Sequence, residues 1–452
     1  MNDLPLKPHQ VSGIEFLHKT HGRCINADDP GLGKTRQAIE YVKEASGFPL
    51  VVVCPASVKG TWLAEIRKWA GDLPCHTMAG KSPEEIHPET KVLITSYNLL
   101  SSRRQCISNF VGKTLVFDEC HNLSNRETAT TKAATAISRR FSHVIGLSGT
   151  PILNRPADFW PILHIIRPKD YPKFQIFAWK YCSPEYRPWG WDYTGASNLD
   201  KLAEEIKPFV IRRKRDVIAD EMPDQEIEIR LLEIDNREEY ESARTGFAKW
   251  MEGRGHKLSA KAKKAEKLIQ VGELLRLASR LKCRSLVREI REYRALYPER
   301  KLILFAHHDA MVGVLQRRVF SPDEPWLYIG GNTPSNKRQP IIDRFQNDPE
   351  ARTIVCKTLS AGAGITLTAA TASFICEIPW GASHLNQAMS RNYRIGQTED
   401  VWVIIPVARD TIEHRVIQAV EDKQGLHDVL IDGTQVKSLP LAEILAAELR
   451  KR

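Results

Sequence analysis

Asp28-Asp29-Pro30-Gly31-Leu32-Gly33-Lys34-Thr35 is the stretch from which the rest of the sequence is read. Gly31 and Gly33 allow backbone conformations closed to other residues and bring N–H groups close to an anion, at the head of a helix whose dipole also favours negative charge. Lys34 is then placed to reach the β- and γ-phosphates of a nucleotide, and Thr35 to offer its hydroxyl to Mg²⁺. Asp28 stands where the strict G-x-x-x-x-G-K-[ST] pattern has glycine. Alone, the stretch also fits a plain Gly-rich turn between a strand and a helix.

A second stretch narrows the choice. Leu115-Val116-Phe117 reads as an apolar strand and runs into Asp118-Glu119-Cys120-His121, which places two carboxylates at the carboxyl edge of a sheet, where open α/β folds bind nucleotides. Asp118 is expected to hold Mg²⁺ and Glu119 to orient and deprotonate the attacking water. Acidic pairs at strand ends also occur on ordinary surfaces. Downstream of a phosphate turn, the pair selects an ATP site.

The surrounding chain alternates strands with helical stretches, so the expected fold class is α/β, with two RecA-like parallel-sheet lobes and helical insertions between them. Strand-like runs stand at Leu50 to Cys54, Lys91 to Thr95, Thr114 to Phe117 and His143 to Leu147, and again at Lys301 to Phe305, Thr353 to Lys357, Ala372 to Glu377 and Val401 to Pro406. The expected domains are lobe one over 1–225 with a small helical insertion at about 154–215, a helical insertion or linker over 226–300, and lobe two over 301–452.

Composition sets outer limits. A chain of 452 residues exceeds one ordinary core, and 65 Lys+Arg against 55 Asp+Glu give a formal charge of +10, which favours a polyanionic partner. Nine scattered cysteines without a C-x-x-C suit a reducing compartment rather than a disulfide framework. Apolar runs have strand length, so no membrane association is expected, and there is no cationic-then-apolar leader.

Several further stretches carry a family resemblance. Leu6 to Gln10, the phosphate turn, Cys54-Pro55-Ala56, Ile94 to Tyr97, the Asp118 box, Leu147-Ser148-Gly149-Thr150-Pro151, Gly362 to Ala370 and Gln387 to Gln397 follow one another as in the superfamily 2 helicases. The Leu-Ser-Gly-Thr-Pro run and the Arg-Ile-Gly-Gln ending at Gln397 resemble the Swi/Snf-type branch. Pro188 to Tyr193 and Phe305 to His308 are similar to the HepA-related annealing helicases, which act on branched DNA.

The resemblance implies roles. Gln10 would read adenine, with Gly31, Leu32, Gly33, Lys34 and Thr35 around the nucleotide. Ser148, Gly149 and Thr150 would couple hydrolysis to lobe movement. Gln387, Arg391 and Arg394 would face the γ-phosphate from lobe two. The same Gln387 to Arg394 stretch also reads as an exposed helix carrying two cations.

Pro55, Ser57, Thr95, Ser96, Tyr97, Gly364 and Thr366 resemble strand-tracking positions, and their hydroxyls and backbone N–H groups suit phosphate contacts that carry no sequence information, while His307, after an apolar strand, could touch phosphate or simply end the strand. About six neutralised phosphates would give a logarithmic salt slope near −5. Arg212 to Arg215 and Lys257 to Lys267 could extend that contact or form solvated faces. Trp189 and Trp191 fit a packed lid better than a base-stacking platform.

Pro30, Gly381-Ala382 and Tyr393 depart from the family pattern without removing a catalytic group. The expected function is an ATP-dependent translocase on duplex or branched DNA, a monomer working with replication or repair proteins. A strand-separating DNA or RNA helicase and a nucleotide-switched clamp are the alternatives. Motifs that fill the chain leave little space for histone-reading modules, and this compactness suggests a prokaryotic or viral protein in the cytoplasm.

Overall fold

The computed structural model describes residues 5–80, 85–110, 112–149, 155–188, 190–214, 217–218, 222–247, 266–358, 365–379, 382–394, 396–414 and 416–417. They fall in two compact units, Met1–Glu221 and Met222–Gln424.

Unit one is built on a seven-stranded parallel sheet in the order β3-β4-β2-β5-β6-β1-β9. Its strands are β1 (Arg23–Asn26), β2 (Leu50–Cys54), β3 (Cys75–Thr77), β4 (Val92–Ser96), β5 (Thr114–Asp118), β6 (His143–Leu147) and β9 (Val210–Ile211). Every residue of β2 and β4 is buried, as expected when helices cover both faces of a parallel sheet. Because all seven strands run the same way, the segments after β1, β2, β4, β5, β6 and β9 emerge at one carboxyl edge. That edge carries nearly all the unit-one motifs.

The stretch expected as a helical insertion at 154–215 is mixed. It contains helices Trp160–Ile166, Phe174–Tyr181 and Leu199–Ile206 and a hairpin of β7 (Glu185–Arg187) and β8 (Gly190–Asp192), but it ends by returning β9 to the sheet beside β1. The packed-lid reading of the tryptophans does not hold for Trp191. It is 46% exposed, and it packs edge-on against Trp179 and Tyr186, which are themselves exposed. Trp189 lies outside the described residues.

Unit two has a six-stranded parallel sheet in the order β10-β15-β14-β11-β13-β12. Its strands are β10 (Gln225–Leu232), β11 (Lys301–Ala306), β12 (Leu327–Ile329), β13 (Thr353–Lys357), β14 (Ala370–Ile375) and β15 (Val401–Ala408). Period-two alternation sorts β11 cleanly: Ile303 and Phe305 join one core with helix Glu266–Leu281, while Leu302, Leu304 and Ala306 join another with helix Cys283–Leu296.

The segment 226–300 therefore differs from a linker. Gln225–Leu232 is an edge strand paired in register with β15, and the two helices after it supply the layers of unit two. A buried ion pair fixes this arrangement: Lys282 Nζ donates to Glu413 Oε2 at 2.9 Å and to the Pro406 carbonyl at 2.5 Å, with both charged side chains fully buried. Among the described residues no helix is long and apolar enough to cross a membrane.

Candidate active site

The phosphate turn links β1 to helix Lys34–Glu44. Gly33 is the N-cap in the left-handed region, with φ 78° and ψ 33°, and the first helical turn has neither an acidic residue nor a side-chain cap. The N–H groups at this helix start are therefore left for an anion. A Cβ on Gly33 would come within 2.3 Å of Gln10 Nε2, so glycine also makes room for Gln10. The Gln10 Oε1 in turn accepts from the Lys7 N–H at 3.1 Å.

Lys34 Nζ donates to the carbonyls of Asp28 at 2.6 Å and Asp29 at 3.2 Å. Burial lowers its pKa, while the negative charges of Glu119, Asp28, Asp29 and Asp118 pull it upward. Asp118, at the end of β5, is pushed up to about 6 by burial and by Glu119, against the lowering effects of Trp62 and Lys34. Trp62 Nε1 donates to Asp118 Oδ2 at 2.8 Å, and the Tyr97 hydroxyl donates to the Asp118 carbonyl at 2.7 Å. A partly buried carboxylate whose ionisation is opposed by a second carboxylate fits a divalent cation.

Glu119 has φ 53° and ψ 54°, a left-handed conformation costly for a residue with a Cβ, and this turn directs it out of the strand. Its Oε2 lies 3.3 Å from His121 Nδ1, which is 3.0 Å from Ser148 Oγ. Gly149 closes the other side. A Cβ there would sit 3.0 Å from Pro30 Cδ, so the end of β6 packs directly on the phosphate turn. Ser148 and Gly149 thus touch the acidic box and the turn respectively; Thr150 lies outside the described residues.

Two residues read as part of a nucleic-acid patch belong to this site. Arg213 donates to both oxygens of the fully buried Asp28 carboxylate, through its backbone N–H and Nε at 3.0 Å and through a terminal guanidinium nitrogen. It also bonds the Ser12 hydroxyl at 2.7 Å and Gln37 Oε1 at 3.0 Å. Arg212 donates to the Ala27 and Gly149 carbonyls, each at 3.1 Å. Asp28, which breaks the strict phosphate-turn pattern, is thus the anchor of a clamp, and no local spacing in the sequence could have paired it with Arg213.

The unit-two residues form their own cluster. Arg391 is buried and donates through Nε to the Gln387 carbonyl at 2.6 Å and through a terminal nitrogen to the Ile365 carbonyl at 3.3 Å. Arg394 donates to the Ser390 carbonyl at 3.0 Å and to Thr366 Oγ1 at 3.1 Å. Gln397 ties the segment down by donating to the carbonyls of Thr368, Ala370 and Asn392. The exposed-helix reading of Gln387 to Arg394 does not fit, since Gln387 and Arg391 are both buried.

The expected strand-tracking residues divide. Pro55 and Ser57 lie at the carboxyl edge after β2 and are partly accessible. Thr95, Ser96 and Tyr97 are buried, so side-chain contact with a phosphate does not suit them, and Tyr97 serves the acidic box instead. Thr366 is exposed beside Arg394. His307 is half-buried, and burial lowers its pKa, which disfavours a cationic phosphate contact. Gly364 and residues 257–265 lie outside the described residues.

A family model for the SNF2-related domain matches residues 9–290, and one for the helicase conserved C-terminal domain matches residues 282–396. The chain belongs to the SNF2-related family. The Swi/Snf-type ATPase resemblance read from the motifs is borne out.

This SNF2-related chain is 31% identical over 432 residues to the SWI/SNF-related matrix-associated actin-dependent regulator of chromatin subfamily A-like protein 1 of Xenopus laevis, covering 92% of this chain and 43% of that one. The Caenorhabditis elegans homolog is 31% identical over 92% of this chain and 61% of its own. The human DNA annealing helicase and endonuclease ZRANB3 is 28% identical over 90% of this chain and 39% of its own. The chain thus spans between 43% and 61% of the length of the first two relatives. A solved structure, the Sulfolobus solfataricus SWI2/SNF2 ATPase core in complex with dsDNA, is 25% identical with a TM-score of 0.46, covering 99% of this chain and 97% of that one.

These relatives overturn the expected prokaryotic or viral cytoplasmic setting. They are animal proteins, several named as regulators of chromatin, and the compact motor on which that expectation rested matches only part of much longer chains.

Proposed function

We propose that this chain is a DNA-dependent ATPase that translocates on duplex or branched DNA. The observation that carries the reading is the gathering of Lys34, Asp118 and Glu119 at one carboxyl edge, on an uncapped helix start clamped by Arg213. Family membership supports ATP as the nucleotide, and the relatives named as DNA annealing helicases support DNA as the track.

In this reading the Lys34 ammonium exchanges its two turn carbonyls for the β- and γ-phosphates, and the N–H groups at the head of helix Lys34–Glu44 cradle them. Gln10, packed on Gly33, faces the adenine. Thr35 and Asp118 would hold Mg²⁺, which when bound offsets the charge of the phosphates. Glu119 takes the proton of the attacking water, with His121 beside it as a neighbour that links its state to Ser148. Arg391 and Arg394 are assigned to the transition-state charge, a contribution of about 10³ to 10⁵ in rate for an arginine used in this way.

Ser148 and Gly149 carry the coupling, because one contacts the acidic box and the other the phosphate turn. Pro55, Ser57 and Thr366 are assigned to the DNA backbone. Triplex displacement along a duplex tests the motor: ATP-dependent displacement without strand separation supports translocation. Unwinding of a forked substrate instead identifies a strand-separating helicase. ATP-sensitive DNA binding with neither activity identifies a nucleotide-switched clamp.

A further inference from the structure

Unit two contains a basic groove that the ATP site does not use. It encloses about 640 Å³ along helix Cys283–Leu296 and is lined by Arg284, Arg288, Arg291 and Arg318, with Asp235 and Glu292 as its acids. Arg284, Arg288 and Arg291 recur at i, i+4 and i+7, which puts them on one helix face spanning about 10 Å at 1.5 Å per residue. The opposite face of that helix, with Leu286, Ile290 and Tyr293, is buried, so the arginine face is held by packing rather than free to turn.

The charges in the groove are unevenly matched. Arg288 has Glu292 at 3.9 Å, and Arg291 Nε is spent on the Arg318 carbonyl at 2.7 Å, which fixes the end of helix Asp309–Arg318 against the groove. Among the described residues, Arg284 and Arg318 have no carboxylate partner within ion-pair distance, whereas Arg230 is paired with Glu228 and Arg294 with Glu324. Four guanidiniums around two carboxylates in an open trough select an extended polyanion over a small apolar ligand. The groove also lies on the helix-covered face of unit two, and none of Arg394, Thr366 and His307 lines it.

We propose that this groove binds the phosphate backbone of a second DNA segment, such as another arm of a branched substrate. This rests on the DNA-motor reading and adds to it a site outside the ATPase motifs. Arginines that meet phosphates charge to charge shift affinity for all sequences alike and steepen the salt dependence by about 0.9 per contact.

The test compares wild type with a triple variant, Arg284→Ala, Arg288→Ala and Arg318→Ala, by fluorescence anisotropy on a forked DNA and a short linear duplex across a salt series. The expected result is a fork-binding slope shallower by about 2 to 3 in the variant, with duplex-stimulated ATP hydrolysis retained. The corresponding Arg→Lys triple variant should restore the slope. An unchanged fork slope in the alanine variant, or a lysine variant as weak as the alanine one, overturns the groove assignment. So does loss of poly-glutamate binding with DNA binding intact, which would mark an acidic protein segment as the ligand. Failure of wild type to bind or respond to any DNA overturns the motor reading itself, and is told apart by being present before any substitution.

Discussion

Arg213 reaches back across 185 residues to hold both carboxylate oxygens of Asp28, so the segment just after the last strand of unit one fastens the first turn of its ATP site. The Asp28 carboxylate is fully buried and accepts from the Arg213 guanidinium and backbone N–H and from the Gln37 amide. Arg213→Ala should cost about 3 to 5 kcal/mol, because removing one partner of a buried pair leaves the other charge stranded. Urea denaturation monitored on unit one measures this. A loss below about 1 kcal/mol, the size of an exposed pair, would mean the clamp is peripheral.

Glu119→Gln keeps the shape of the acidic box but removes its base. Hydrolysis with duplex DNA should fall by about 10² to 10⁴, while binding of a fluorescent ATP analogue persists. Wild-type turnover in this variant would take the proton-accepting role away from Glu119.

Gly33→Ala tests the turn itself. The alanine Cβ would meet Gln10 at a position with φ 78°, which adds about 1 to 2 kcal/mol of backbone strain. ATP affinity should drop with little change in the melting of unit two, and titration of nucleotide by anisotropy reads it. Unaltered affinity would show that Gln10 and Gly33 do not frame the nucleotide.

Glu377 gives unit two an acid limit. It is buried after β14 and accepts the backbone N–H of His307 at 2.7 Å and of His308 at 2.8 Å, with His308 Nδ1 at 2.7 Å from its other oxygen. Burial pushes its pKa up, but these bonds outweigh burial and hold the carboxyl below the ordinary glutamate range. A depressed folded-state pKa means that the unfolded chain binds more protons, so this stabilisation is complete above the unfolded value of about 4.3 and is lost as pH falls through the folded value. Denaturation midpoints between about pH 6 and pH 3.5 should fall more steeply in wild type than in Glu377→Gln. Equal slopes would contradict the assignment.

Much of the fold was legible because parallel strands buried on both faces read as unbroken apolar runs, as at Leu50–Cys54 and Thr114–Asp118. β10 was not, since Glu226, Ile227, Glu228, Ile229 and Arg230 alternate charge with isoleucine on a half-exposed edge strand and sit next to strong helix formers. Lys34, Asp118 and Glu119 could be read from local spacing. Arg212 and Arg213 could not, because a basic run looks the same whether it faces solvent or reaches a buried aspartate brought close only by the fold. Trp191 was misjudged because a tryptophan beside glycine says nothing about which side of a hairpin is covered.

The central claim is that this edge hydrolyses ATP in response to DNA. Steady-state hydrolysis measured without nucleic acid and with duplex, forked DNA, single-stranded DNA and RNA, each beside Lys34→Ala, tests it most directly. The account predicts strong stimulation by duplex or fork, little by single strand or RNA, and none in the Lys34 variant. Full turnover without DNA, or activity surviving Lys34→Ala, would contradict it.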